Sequence, residues 1–160
     1  MQVTARNRRP ATQPDRTIVI ERVFDAPRKL VFKAWTDPEH AARWWSPRWC
    51  EIVSLEMDVR PGGAWRKCMR GDDGSEYWRT GVFKEVVEPE RLVFTYFSDD
   101  PHSRPGAETL VTVTLVEDGG RTKLTLRHEL FESAEARDSH HKGWASAIEK
   151  LGEYVAEETR

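Results

Sequence analysis

Cysteine is scarce in this chain. Its 160 residues include two, too few for a disulfide framework or a four-thiolate zinc site. An excess of one charge is also missing. The 25 Lys and Arg stand against 27 Asp and Glu, a formal net charge of −2, which excludes a general attraction to nucleic acid or an anionic membrane surface. Long apolar runs are absent, and no segment approaches the roughly 20 apolar residues that a spanning helix needs, so membrane insertion is not expected. Residues 1–6 lack the apolar stretch of a signal peptide, so the expected compartment is the cytoplasm. What the chain does have is aromatic bulk: seven Trp, six Phe and three Tyr. Such rings can wall a cavity as well as fill a core.

Residues 1–16 hold four Arg, two Pro and almost nothing apolar. They read as a flexible arm, because little burial offsets the entropy of ordering them. Residues 17–160 read as one domain. A β-branched strand is expected over 17–25, with Ile18, Ile20 and Phe24 on one face. Pro27 then suits the first turn of a helix that carries Leu30, Val31, Ala34 and Trp35. Asp37-Pro38 has the form of a cap and first helical residue, opening a short second helix over 38–45.

The period then changes. Strands are expected at 51–59, 64–70, 76–87, 92–97, 109–116 and 122–131, separated by Gly-, Pro- and Asp-rich turns. Short links favour an antiparallel meander. In the last strand Leu124, Leu126, His128 and Leu130 share one face, and charged or polar residues share the other. The cover for that face is a helix over 133–158, capped by Ser133 and about 39 Å long. Its apolar stripe is Trp144, Ala147, Ile148, Leu151, Tyr154 and Val155. The expected fold is α+β: a curved seven-stranded antiparallel sheet around a long C-terminal helix.

Several motifs in that order are similar to a known family. They are Arg22-Val23-Phe24-Asp25-Ala26-Pro27, Val31-Phe32-Lys33-Ala34-Trp35-Thr36-Asp37-Pro38, Trp44-Trp45 and Asp58-Val59-Arg60-Pro61-Gly62-Gly63. Gly81, Glu85, Pro89-Glu90-Arg91-Leu92, His128, Gly143-Trp144 and Leu151 complete the set. Over residues 17–158 the chain resembles the SRPBCC, or START-like, superfamily, in the branch of homologues of the activator of the heat shock protein 90 ATPase. The resemblance implies the helix-grip (Bet v-like) fold and a hydrophobic cavity between sheet and helix. It also implies a function in one of three classes: binding of a hydrophobic small molecule or lipid, a co-chaperone-like interaction with a chaperone partner in a stress response, or cyclase/aromatase-type catalysis. Family members are often homodimers, although no interface stripe is legible. Fold alone does not choose among these.

The residues themselves favour binding over catalysis. No nucleophile–base order is assignable, and Asp72-Asp73 and Asp99-Asp100 sit in expected turns. The Asp58–Gly63 loop opens onto a strand, so it reads as a turn and not a phosphate cradle. His140 and His141 point about 100° apart on a helix and cannot grip one metal, and no cofactor is implied. The candidate cavity lining is Trp44, Trp49, Trp65, Lys67, Met69, Phe94 and Tyr96 from the first part of the chain. Val113, Leu126, His128, His140, Trp144 and Ile148 complete it.

Lys67 shares a face with Trp65 and Met69, so its ammonium either meets an anionic group of a ligand or snorkels to the cavity mouth. His128 is either a hydrogen-bonded core residue or a polar anchor that shuttles a proton. Were the protein an enzyme, His128, Tyr96 and Lys67 would be its candidates. Gly143 disfavours a helix interior by about 1 kcal/mol relative to Ala, so sheet or ligand is expected close to its backbone. Cys68 is expected opposite about Leu55, away from Cys50, leaving both thiols free.

Overall fold

The computed structural model describes residues 14–159. Most of the expected N-terminal arm, residues 1–13, lies outside the described residues, and Pro14–Arg16 form one 3-10 turn. The chain then runs β1 (Ile18–Phe24), α1 (Arg28–Thr36), α2 (Pro38–Ala41), β2 (Cys50–Met57), β3 (Ala64–Gly71) and β4 (Glu76–Val87). It continues with β5 (Arg91–Ser98), β6 (Thr109–Asp118), β7 (Arg121–Glu129) and α3 (Ala134–Glu158). The strands form one seven-stranded sheet in the order β1-β7-β6-β5-β4-β3-β2. Every neighbour is antiparallel. The meander from β2 to β7 curls as a half-barrel around α3, and β1 closes its far edge against β7. This is the helix-grip architecture expected from the residue pattern.

Local chemistry sets the joints. Asp37 Oδ1 accepts from the Glu39 N–H at 3.0 Å, and Pro38 follows at the first helical position. Ser133 Oγ accepts from the Ala136 N–H at 3.0 Å and starts α3. All of α3's expected stripe, Trp144, Ala147, Ile148, Leu151, Tyr154 and Val155, is buried. Gly81 matters to the sheet. A Cβ there would lie 1.8 Å from Thr95 O and 2.6 Å from Trp65 Nε1, so only glycine lets the Trp65 indole cross the backbone. That indole donates to Thr95 O at 3.1 Å.

Three local expectations are corrected. The second helix ends at Ala41, not Trp45, and the chain turns tightly through residues 42–46. Adjacent helical residues diverge by about 100°. A continued helix would therefore expose one of Trp44 and Trp45, whereas the turn buries both, at 0 % and 3 % exposure. The last strand stops at Glu129, and Leu130 is not on the covered face. Leu130 adopts φ +75°, a left-handed conformation that opposes a branched side chain by about 1–2 kcal/mol, and it is exposed. The reversal turns Phe131 inward instead, with its ring 4.3 Å from that of His128. Finally, the β2–β3 turn sets Cys68 opposite Ser54 and Lys67 opposite Leu55, one residue from the expected register, and a bulge at Ile52/Ser54 shifts only the pairs beyond it. Cys50 faces Gly71, and both thiols are free.

Candidate functional site

The space between sheet and α3 divides in two. The deep end is filled. Trp35 and Trp44 meet edge to face at 4.6 Å, Trp45 lies 4.8 Å from Trp65, and Phe94 lies 5.8 Å from both Trp65 and Phe83. Trp44 Nε1 donates to Ala34 O at 2.9 Å. Trp44, Trp65, Phe94, Val113, Leu126 and Ile148, all expected at the cavity wall, are packed in this core, each 1 % exposed or less. They do not line the cavity.

His128 belongs to the same core, and its proton can be placed. Thr109 Oγ1 donates to Tyr96 O at 2.6 Å, which uses its single hydrogen. The hydroxyl oxygen must therefore accept from His128 Nε2–H, 2.7 Å away. Trp144 Nε1–H donates to His128 Nδ1 at 2.9 Å. The imidazole is thus neutral, with both nitrogens engaged. Burial, then the neighbouring His140 and Lys67, push its pKa well below the ordinary histidine value. A ring so enclosed ties α3 to the sheet and has no free position for proton shuttling.

The mouth end is open. A cavity of about 270 Å³ lies between β3, β4 and β5, the segment 45–50 and α3. Of the candidate residues named from the sequence, Trp49, Lys67, Met69, Tyr96, His140 and Trp144 line it. Sequence reasoning missed Trp45, Ser46, Pro47, Cys50, Tyr77, Arg79, Ser139, Gly143 and Ala147. Alternation along β4 could have found Tyr77 and Arg79, which pair with Met69 and Lys67 of β3. Nothing in the local pattern marks Ser46 or Pro47, because their positions follow from the unexpected turn after α2. Of the two expectations for Gly143, the sheet is excluded: apart from its chain neighbours and its own helix backbone, no protein atom lies within 4 Å of a Cβ built on it. The helix keeps a glycine where it borders the hollow.

The polar groups of the mouth are incompletely partnered. Lys67 does not snorkel to water: it is 2 % exposed, and Nζ donates to Trp45 O at 3.0 Å beneath the Trp45 ring at 3.9 Å. Burial, then the Arg79 charge, hold its pKa well below the usual lysine value. His140 Nδ1–H donates to Ala136 O at 2.9 Å, which leaves Nε2 as an acceptor with no hydrogen bond among the described residues. Burial lowers the His140 pKa as well. It raises those of Tyr96 and Cys50. No group of three or more His, Cys, Asp or Glu capable of holding a metal occurs among the described residues. No helix among them is long and apolar enough to cross a membrane.

The family model described as Activator of Hsp90 ATPase homolog 1-like protein matches residues 25–156. The chain belongs to this family. Solved structures of bacterial proteins agree. A protein from Chromobacterium violaceum is 28 % identical with a TM-score of 0.80, covering 88 % of this chain and 96 % of that one. An AHSA1 protein from Silicibacter pomeroyi is 27 % identical with a TM-score of 0.79, covering 89 % and 99 %. A protein from Arthrobacter aurescens is 29 % identical with a TM-score of 0.77, covering 88 % and 86 %. No curated protein sequence matches the chain. Membership supports ligand binding or a co-chaperone-like interaction in general, and the choice between them falls to the site.

Proposed function

We propose that this member of the family binds a small hydrophobic molecule at the mouth of its grip. The observation that carries the reading is the hollow of about 270 Å³, walled by Trp45, Trp49, Tyr96 and Trp144 and bordered by a helical glycine that no atom beyond its own helix backbone approaches. Rigid rings cannot collapse into such a space. The volume lies just under the roughly 300 Å³ at which drug-sized pockets begin. A cavity of about 150 Å³ already takes benzene. The hollow therefore suits one or two rings and is too small for a long acyl chain, which narrows the expectation of a lipid. The lining hydroxyl beside an amine, Ser46 Oγ, accepts from Lys150 Nζ at 3.1 Å but donates its own hydrogen to Cys50 O at 3.3 Å, so the reading is binding without catalysis.

The test is calorimetric titration with a panel of one- and two-ring aromatics, followed in parallel by tryptophan emission. Saturable binding of some members, with a change in indole emission, is expected. Flat titrations across the whole panel would remove the proposal.

A further inference from the structure

The mouth contains an unusual pair. Lys67 and Arg79 are direct partners in the β3–β4 register, and both line the cavity. Directly opposed side chains on one sheet face have Cβ atoms about 5 Å apart, and like charges there oppose folding. No carboxylate lines the cavity among the described residues. Arg79 is partly compensated. Its Nη1 donates to Trp78 O at 2.8 Å and lies 3.6 Å from Asp100 Oδ2. Lys67 has ring faces, Trp45 at 3.9 Å and Tyr96 at 5.7 Å, but no counter-charge. Its amine has one protein acceptor, the Trp45 carbonyl, although an ammonium can donate three hydrogen bonds. A core that needed only a packed side chain here would do better with methionine, as at Met69 on the same strand face.

We propose that the ligand is a small ring-bearing organic acid, its carboxylate seated on Lys67 Nζ with Arg79 alongside and its ring against the indoles of the mouth. This rests on the binding role proposed above and adds the chemical class. The carboxylate supplies the acceptor and the charge that Lys67 lacks, and the indoles supply the apolar contact. The ionisable groups facing Lys67 are Arg79 from β4, Tyr96 from β5, His128 from β7, Cys50 from β2, and His140 and Lys150 from α3. None of them is a carboxylate.

The experiment compares isosteric pairs by calorimetry: benzoate against benzyl alcohol, and 2-naphthoate against 2-naphthalenemethanol. Each pair is run on the full chain and on Lys67→Met. Each acid is expected to bind about 10- to 100-fold more tightly than its alcohol, the size of a hydrogen bond between charged groups. Lys67→Met should erase the preference. Equal affinity for acid and alcohol on the unmodified chain would overturn the inference while leaving the binding role intact. A preference that survives in Lys67→Met would overturn the assignment to Lys67. Failure of all four compounds to bind would remove both.

Discussion

The two ends of the grip are built from the same residue types to opposite effect. At the deep end, the Trp44 indole donates to Ala34 O and that of Trp65 to Thr95 O, while the buried Trp35 Nε1 has no partner among the described residues. At the mouth, Lys67 has a single neutral acceptor, and the second nitrogen of His140 has none among the described residues. A buried polar group without a partner is unfavourable by about 1–3 kcal/mol. The deep end holds a neutral unpartnered indole enclosed by rings, whereas the mouth sets an amine and an imidazole beside a hollow. Aromatic content therefore does not distinguish core from site in this fold; ionisable groups bordering open space do.

The comparison breaks most readily at Trp65. Trp65→Ala should lose about 3–5 kcal/mol of unfolding free energy in urea denaturation, as removal of a fully buried indole does. A loss below about 1 kcal/mol would show that the deep end is not close-packed.

His128 gives the next effect. His128→Leu leaves Trp144 Nε1 and Thr109 Oγ1 short of a partner and should lose about 2 kcal/mol at neutral pH. It should also flatten the acid limb. The unfolded histidine takes a proton below about pH 6.5, and the folded one, its pKa depressed, does not. Unfolding then binds a proton, and stability falls as pH drops below 6.5 by up to about 1.4 kcal/mol per pH unit. His140 adds a change of the same sign. Denaturation curves between pH 7 and pH 5 check both claims.

The mouth should behave differently. Lys67→Met should leave stability unchanged or raise it by about 1 kcal/mol in thermal denaturation, since a buried cation with one neutral acceptor is replaced by an apolar chain. A clear loss would place Lys67 among the structural residues of the deep end. Trp49→Ala should be the mildest change, within about 0.5 kcal/mol, because its ring is 53 % exposed at the rim.

Much of the fold was legible because its signals are periodic and local. The stripe of α3, the Ser133 and Asp37 caps and the six strands of the meander all follow from spacing and turn residues. The departures have causes outside those patterns. The tight turn that buries Trp44 and Trp45 together is set by packing, as is the inward reversal of Phe131 at Leu130. The site was half legible. Alternation put Lys67, Met69 and Tyr96 on the inner face, but depth along the grip is a tertiary property. It sent Trp65, Phe94 and His128 to the core and brought Arg79, Ser46 and Gly143 to the hollow.

The most direct measurement concerns the hollow itself. Gly143→Leu places a side chain where no protein atom stands within 4 Å of the Cβ position, and it leaves Lys67 and Arg79 untouched. Titrated with 2-naphthoate by calorimetry, the unmodified chain should bind, and Gly143→Leu, equally or more stable, should bind at least tenfold more weakly. Equal binding by the two chains would show that the ligand does not enter the space beside α3, and the account of the mouth as the site would be contradicted.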